Sequence, residues 1–165
     1  MKDVVMVFTS KSLQTMQDEG GSGNWAANKD RIGHAKWLVA TRNQKSGWTQ
    51  GDEGHGSAFF IGRVSGVKAA PAPEQKRFII QFDQYAEINL SDVWTGSRNP
   101  VAYTDLKTLK IDVDKLNWKP FVPNLQHEAR ALTDMEPSSV VDRARVMIAE
   151  ALSVSPDAVK ITVAL

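Results

Sequence analysis

The side chains of this sequence with the clearest capacity for chemistry are three tryptophans at predicted turns. Trp25 follows the segment GGSGN, Trp48 lies in KSGWTQ, and Trp94 lies in DVWTGSRNP. A flat indole stacks on planar groups and attracts cations to its ring face, so such residues can form the walls of a ligand cage. The alternative is that each ring folds back from its loop onto the hydrophobic core. We interpret the two other tryptophans, Trp37 and Trp118, as packing residues.

Polar side chains close to these tryptophans could bind a nucleic acid. Guanidinium, ammonium and amide groups donate hydrogen bonds to phosphate oxygens and to base edges. The candidates for phosphate binding, at predicted strand ends and turns, are Arg42, Lys45, Arg98 and Asn99. Each of them could instead be an ordinary solvated polar group.

The motifs that would indicate an enzyme are incomplete. Gly20–Asn24 approaches the G-x-S-x-G pattern, but Asn24 takes the place of the last glycine. Gly21–Ala26 matches G-x-G-x-x-A, yet it follows a predicted helix and not a strand. The chain has no cysteine, and its three histidines lack the spacing of metal ligands. The sequence therefore predicts no catalytic residue, no cofactor and no metal site.

Composition limits the class of protein and of partner. The chain has 165 residues, 42% of them hydrophobic and 24% charged, which is typical of one globular domain with a small appendage. The net charge is +1, and residues 1–119 are mildly basic whereas residues 120–165 are mildly acidic. A nonspecific DNA-binding protein is usually far more basic, so any nucleic-acid contact should be small and local. The N-terminal apolar run Val4–Phe8 is too short for a signal peptide or a membrane span, which favours a cytoplasmic location without a membrane partner.

Apolar residues at period 2 predict strands over most of the first three-quarters of the chain. The predicted strands are Val4–Phe8, Lys36–Thr41, Ser57–Val67, Arg77–Ile88 and Lys107–Val113. Gly62 and Gly66 interrupt the third strand and predict a bulge or a bend. Short helices are predicted over Ser10–Asp18, with Ser10 as the cap, and over Ala26–His34. Strands at this spacing with glycine-rich turns indicate an α+β fold, in which a curved β-barrel carries short helical insertions.

A second part of the chain begins after the segment NWKPFVP, where two prolines end regular structure. Ser138 or Ser139 caps a predicted helix that ends at Leu152 and has one apolar stripe. A turn then leads to the alternating segment Val159–Leu165, a predicted strand. We therefore divide the chain into a barrel domain, residues 1–119, and a C-terminal helix-turn-strand annex, residues 120–165. The annex is too small to fold alone, so it should pack on the barrel, on a second copy or on a protein partner.

The order of these features resembles the YTH and EVE members of the PUA-like superfamily, over about residues 4–115. The resemblance rests on Gly23-Asn24-Trp25, the strand Trp37–Thr41 with the turn RNQKSG, the strand Phe59–Val67, and Trp94-Thr95-Gly96. Members of that group share a curved β-barrel and hold an extruded modified base in an aromatic cage. The resemblance implies that Trp25 and Trp94 are cage walls, that Asn24 contacts the base, and that Trp48 or Tyr103 completes the cage. The long segment Trp48–Gly56 departs from the tight turn of the YTH pattern.

The sequence thus predicts a binding module, and not an enzyme, that recognises a modified, methylated base in DNA or RNA. Two alternatives stay open. One is an RNA-processing or RNA-cleaving enzyme on a similar barrel, which would use Lys45 or Arg98 with the carboxylates of Asp52 or Glu53. The other is a protein-interaction module that assembles through residues 120–165.

Overall fold

Seven strands in one sheet form the main part of the computed structural model, which describes residues 2–71, 76–124 and 137–162. The chain divides into two compact units, Met1–Asn124 and Leu125–Leu165. The division lies five residues after the boundary expected from the sequence, because Lys119–Pro120 pairs with a strand of the sheet and Phe121 is buried. The strands of the first unit are β1 (Val4–Thr9), β2 (Ser22–Trp25), β3 (Trp37–Arg42), β4 (Ala58–Ala69), β5 (Phe78–Leu90), β6 (Val101–Thr104) and β7 (Lys119–Pro120).

The sheet is a curled, mixed half-barrel, so the fold is α+β and is compatible with a barrel. Its strand order is β2-β5-β4-β3-β1-β6, and β7 pairs with β5 outside this order. β1 and β3 are parallel, with Val4 opposite Trp37 and Thr9 opposite Arg42, while the other pairs are antiparallel. The register of β4 and β5 shifts between Arg63 and Gly66, which confirms the irregularity predicted from the glycines of this strand.

Four helices lie among the described residues: α1 (Leu13–Glu19), α2 (Lys29–Gly33), α3 (Leu106–Leu109) and α4 (Pro137–Leu152). The predicted cap of α1 was wrong, because the hydroxyl of Ser12, and not that of Ser10, accepts the backbone N–H of Thr15 at 3.1 Å. Asn28 caps α2 in the same way. None of the helices in the described ranges is long and apolar enough to cross a membrane.

Two predicted strands differ from the structure. Lys107–Val113 does not extend, because the Asp105 carboxylate accepts the Thr108 N–H and starts α3, and a 3-10 helix follows at Val113–Lys115. The segment predicted as the last strand begins after a 3-10 helix at Pro156–Ala158. Its described residues, 159–162, are not in a strand, and residues 163–165 lie outside the described ranges.

Alternation along the strands creates two hydrophobic clusters, one on each face of the sheet. The inner-face cluster includes Val5 and Val7 of β1 together with Met16 of α1 and Ile32 of α2. The outer-face cluster includes Val4 and Met6 of the same strand, and the segment from α3 to Trp118 packs against it. The hydrophobic side chains that belong to these clusters can therefore be assigned to one face or the other, which decides which of them can share a site.

Candidate functional site

Trp25 belongs to the inner-face cluster and is only 8% exposed. It ends β2, where Ser22 pairs with Ile80 and Trp25 with Phe78 of β5. The indole N–H donates to the Ser22 hydroxyl at 3.1 Å, so the polar atom of the ring is satisfied within its own strand. Trp25 is therefore a packed side chain with one small accessible edge, and not a free stacking wall.

Asn24 lies beside Trp25 and is exposed. Its backbone carbonyl accepts a hydrogen bond from the Arg77 guanidinium at 3.1 Å. The amide side chain of Asn24 thus stands at the surface next to the edge of the buried indole. An exposed amide can pair with the hydrogen-bonding edge of a base.

Tyr103 also packs against the inner-face cluster, in β6 opposite Val5 of β1. The Arg31 guanidinium of α2 lies over its ring, 4.1 Å from the centroid. The Tyr103 hydroxyl is buried and is the one buried side-chain polar atom without a hydrogen-bond partner in the described part of the chain. Burial raises the pKa of the phenol above its ordinary value, and the charge of Arg31 acts in the opposite direction. The hydroxyl is therefore protonated at neutral pH and can donate a hydrogen bond.

An open groove of about 400 Å³ lies between α2 and β4. Its apolar lining, Ala35, Val64 and Val67, is continuous with the inner-face cluster. Lys29 of α2 and His34, which directly follows the helix, supply its polar side, and the Nδ1 atom of His34 lies 2.6 Å from the carbonyl oxygen of Asp30. The volume falls within the range of small-molecule sites, about 300–1,000 Å³. α2 thus carries Lys29 toward this groove and Arg31 over Tyr103.

Trp94 lies on the opposite face of the sheet from Trp25. Its ring stacks on that of Phe8, with centroids 4.9 Å apart and an interplanar angle of 4°. Phe8 follows Val4 and Met6 in the alternation of β1, and Trp94 packs against the outer-face cluster. The expectation that Trp25 and Trp94 are two walls of one cage therefore differs from the structure, because the sheet separates them.

Arg42 is not available for a phosphate, contrary to the expectation from the sequence. It is 2% exposed, and its guanidinium stacks on Phe59 at 3.9 Å from the ring centroid. Its Nε donates to the Glu53 carboxylate at 2.8 Å, and its Nη1 donates to the Lys11 carbonyl at 2.9 Å. Arg42 therefore anchors the long β3–β4 loop, residues 43–57, to the body of the fold.

The remaining predicted contact residues lie at the surface. Lys45 and Arg98 are exposed, and Trp48 is 58% exposed. The Asn99 side-chain oxygen accepts the backbone N–H of Val101 at 3.1 Å, so this residue shapes the turn before β6. The structure places Trp25 and Tyr103 on the inner-face cluster, leaves Asn24 exposed next to Trp25 in the chain, and leaves the other candidates elsewhere.

The carboxylates that an enzyme would need are in two different environments. Glu53 is paired with Arg42, whereas Asp52 is exposed beside it. Among the residues that the structure describes, no group of three or more His, Asp or Glu side chains could hold a metal ion.

Sequence reasoning missed Arg31 and Lys29 as site residues. The predicted helix Ala26–His34 contained both, but its charges looked like an ordinary solvated face. The signal that could have identified Arg31 is its position two residues after Lys29 and one before the apolar Ile32, which faces the core. A cation next to such a residue lies at the edge of the buried face, where it can cover a neighbouring ring.

Comparison of the sequence with protein-family models finds no family that matches it, and comparison with curated proteins finds no significant match. Function is therefore inferred from the geometry of the inner face.

Proposed function

We propose that this chain is a nucleic-acid-binding module that recognises a modified base on the inner face of its half-barrel, beside α2. The proposal includes the relation to the PUA-like superfamily, and the support for it is that the curled mixed sheet is compatible with a barrel fold. A cytoplasmic location is part of the same proposal.

The buried hydroxyl of Tyr103 carries this proposal. A buried hydroxyl without a hydrogen-bond partner lowers the stability of the fold by about 1–3 kcal/mol, because it has lost its contact with water. An acceptor on a bound ligand would recover this free energy, and ring nitrogens and carbonyl oxygens of a base are such acceptors. The Tyr103 ring, which carries this hydroxyl, packs against the same cluster as Trp25. The Arg31 guanidinium lies over that ring, and its positive charge suits a polyanionic ligand.

Arg31 supports the same site through the shape of its side chain. Its guanidinium is planar and backed by the Tyr103 ring at 4.1 Å, and it is exposed on its other side. Bases stack on guanidinium planes as well as on aromatic rings. Stacking contributes about 1–3 kcal/mol for each base, against an extrusion cost of a few kcal/mol. Arg31 and Lys29 can also contact the neighbouring phosphates, which carry no sequence information but add affinity.

Discrimination of a modification must come mostly from shape and polar contacts. A methyl group contributes only about 0.8 kcal/mol through its burial. The accessible edge of Trp25 and the exposed amide of Asn24 are the groups beside which such a methyl group would lie. Trp25 then acts as the floor of the site and not as one of two parallel walls.

The test is Tyr103→Phe, which removes the unpartnered hydroxyl and leaves the ring in place. Because the hydroxyl makes no hydrogen bond in the fold, we expect the melting temperature to stay the same or rise. We expect the affinity for the preferred modified strand to fall by about 2- to 12-fold, the value of one hydrogen bond. Fluorescence anisotropy with DNA and RNA strands carrying methylated adenine or methylated cytosine measures both the preference and its loss.

Tyr85→Phe is the matched control, because Tyr85 is the other tyrosine of the chain and its hydroxyl is not buried without a partner. It should leave the affinities for modified and unmodified strands as they are in the wild type. A wild-type protein that prefers no modified strand over its unmodified counterpart would refute the proposed function.

A second candidate function, protein interaction through the C-terminal unit, is favoured by a different observation. Large apolar side chains of α4 are exposed, among them Met147 and Leu152, at 65% each. Light scattering of the full chain over a range of concentrations would detect self-association through this helix, and a constant monomer mass would exclude it.

A further inference from the structure

Trp48 stands apart from the other tryptophans in the first unit. It is 58% exposed, and its indole makes no hydrogen bond or ring contact with any residue in the described ranges. An exposed indole is costly, and a tryptophan on a pliable loop would be expected to collapse onto the surface. The question is what keeps this ring presented to solvent.

The backbone next to Trp48 is fixed by hydrogen bonds to α1 and to the residues that directly precede this helix. The Gln50 N–H donates to the Ser10 carbonyl at 2.8 Å. The Gln50 side-chain oxygen accepts the Ser12 N–H at 2.9 Å and the Thr15 hydroxyl at 2.7 Å. Thr49 donates to the Asn43 carbonyl at 2.7 Å. Because the residues that follow Trp48 are held at several points, the loop presents the ring from a rigid base.

The far side of the loop is tied to the strand that carries Asn24 and Trp25. Arg42 binds Glu53 of the loop and also donates to the Lys11 carbonyl at 2.9 Å. The Lys11 ammonium donates in turn to the Gly23 carbonyl of β2 at 2.7 Å. Lys11 therefore connects Arg42 to β2 through two direct hydrogen bonds, and Arg42 in turn holds the Trp48 loop through Glu53.

The charge beside Trp48 selects the kind of ligand. The segment from Asn43 to Gly51 contains one cation, the exposed Lys45, and no acidic residue. An exposed indole three residues after an exposed lysine matches an unpaired base with its phosphate, since stacking on aromatic residues and backbone charge contacts are the two terms of single-strand binding.

We propose that Trp48 is a stacking platform for an unpaired, unmodified base, and that Lys45 contacts a phosphate of the same strand. The inference rests on the proposed function in that the platform holds nucleotides flanking the modified base. It adds a second site on the β3–β4 loop, which needs no modification for binding.

The experiment compares Trp48→Ala and Trp48→Phe in the full chain, with unmodified oligothymidine and oligouridine of about 12 nucleotides, a length that spans one single-strand site. We expect Trp48→Ala to weaken binding by about 5- to 150-fold, and Trp48→Phe to retain most of the affinity because its ring still stacks. Strand binding should quench tryptophan fluorescence in the wild type and not in Trp48→Ala. Lys45→Gln should lower the slope of log affinity against log salt by about one.

Val122→Ala is the control, since Val122 is also an exposed apolar residue of the first unit, 66% exposed. Trp48→Ala should melt within a few degrees of the wild type, because Trp48 is 58% exposed and its indole makes no hydrogen bond or ring contact in the described ranges. Equal affinities and equal quenching in the wild type and Trp48→Ala would overturn the platform. So would a wild type that binds no single strand, or a Trp48→Ala variant that loses self-association instead of strand binding.

The two proposals fail in different ways. If Trp48→Ala weakens every strand equally and the wild type never prefers a modified strand, the platform stands and the modified-base function fails. If the wild type prefers a modified strand and Tyr103→Phe lowers that preference while Trp48→Ala changes nothing, the function stands and the platform fails.

Discussion

Arg42 brings a full positive charge into the interior at the end of β3. Its guanidinium is satisfied by Glu53, by the Lys11 carbonyl and by the ring of Phe59. A buried charge is tolerated only when such partners replace its water. The contact with Glu53 also holds the loop that carries Trp48, so the stability of Arg42 and the geometry of the loop are coupled.

We expect Arg42→Ala to destabilise the protein by about 3 kcal/mol, the lower end for a broken buried pair, because Glu53 keeps some access to water. Arg42→Met should recover part of the loss, since its side chain still fills the space over Phe59. Urea unfolding measures the free energy of unfolding of each variant.

The matched control for Arg42 is Arg63→Ala. Arg63 forms a two-point ion pair with Asp83 on the exposed surface of β4 and β5. That pair lowers the pKa of the Asp83 carboxyl, mainly through the hydrogen bond from Arg63. An exposed pair contributes only about 0–1 kcal/mol, so the loss should be small. Equal losses for Arg42→Ala and Arg63→Ala would show that the burial of Arg42 is not what the fold depends on.

At the scale of elements, the candidate site depends on β2, which lies so close to β5 that there is no space between them for added side chains. A Cβ added at Gly21 would lie 2.5 Å from the carbonyl oxygen of Ile80, and the φ of Gly21 is +149°. A Cβ at Gly23 would lie 2.6 Å from Cγ1 of Ile79. β2 can approach β5 closely only because these positions have no side chain.

Gly23→Ala should therefore cost about 1–3 kcal/mol of stability through overpacking against the buried Ile79. Gly33→Ala is the control, because a Cβ there meets nothing within 4 Å and lies at the end of a helix, where alanine is favoured. Thermal unfolding followed by circular dichroism compares the two. A Gly23→Ala variant as stable as Gly33→Ala would mean that β2 can move away from β5 without cost.

The elements with strong apolar patterns could be predicted from the sequence, and those without them could not. β1, β3, β4 and β5 coincide with predicted strands within a few residues at each end. β2 was missed because SGNW has no alternation, and β6 was missed because VAYT is short and follows a turn. Local patterns cannot predict a strand whose main stabilisation is pairing with a distant partner.

The candidate site was predictable in its residue types and not in its arrangement. Trp25 and Tyr103 do share a cluster, but the separation of Trp25 from Trp94 depends on which face Phe8 occupies. The burial of Arg42 was also unpredictable, because its partners come from segments 11 and 31 residues away in the chain. Such facts follow from sheet register and loop path, which the residue types alone do not determine.

At the scale of the whole molecule, the first unit ends at Asn124 and not at the break near Trp118. Phe121 is buried, and its ring lies 4.0 Å from that of Phe82. Its backbone N–H also donates to the Asp83 carbonyl at 2.8 Å. Phe121, which lies between the two prolines, is therefore part of the core of the first unit.

Two truncated chains test this boundary. A chain that ends at Asn124 should unfold cooperatively with a free energy of unfolding close to that of the first unit in the full chain. A chain that ends at Lys119 loses Phe121 and should be less stable by about 3–5 kcal/mol, as for other large buried aromatic side chains. Urea titration of both chains measures the difference, and equal stability would place the boundary at residue 119 as the sequence suggested.

The paired rings of Trp37 and Trp118 have an optical consequence. Their centroids are 5.4 Å apart and their planes are tilted by 30°, so their electronic transitions couple. Two coupled indoles at a fixed tilt produce a signed couplet in the circular dichroism spectrum, which disappears once the rings separate. Trp118 is held in place by its own indole N–H, which donates to the Val113 carbonyl at 2.9 Å. The chain thus contains an intrinsic spectroscopic reporter of the outer face, independent of the emission of the exposed Trp48.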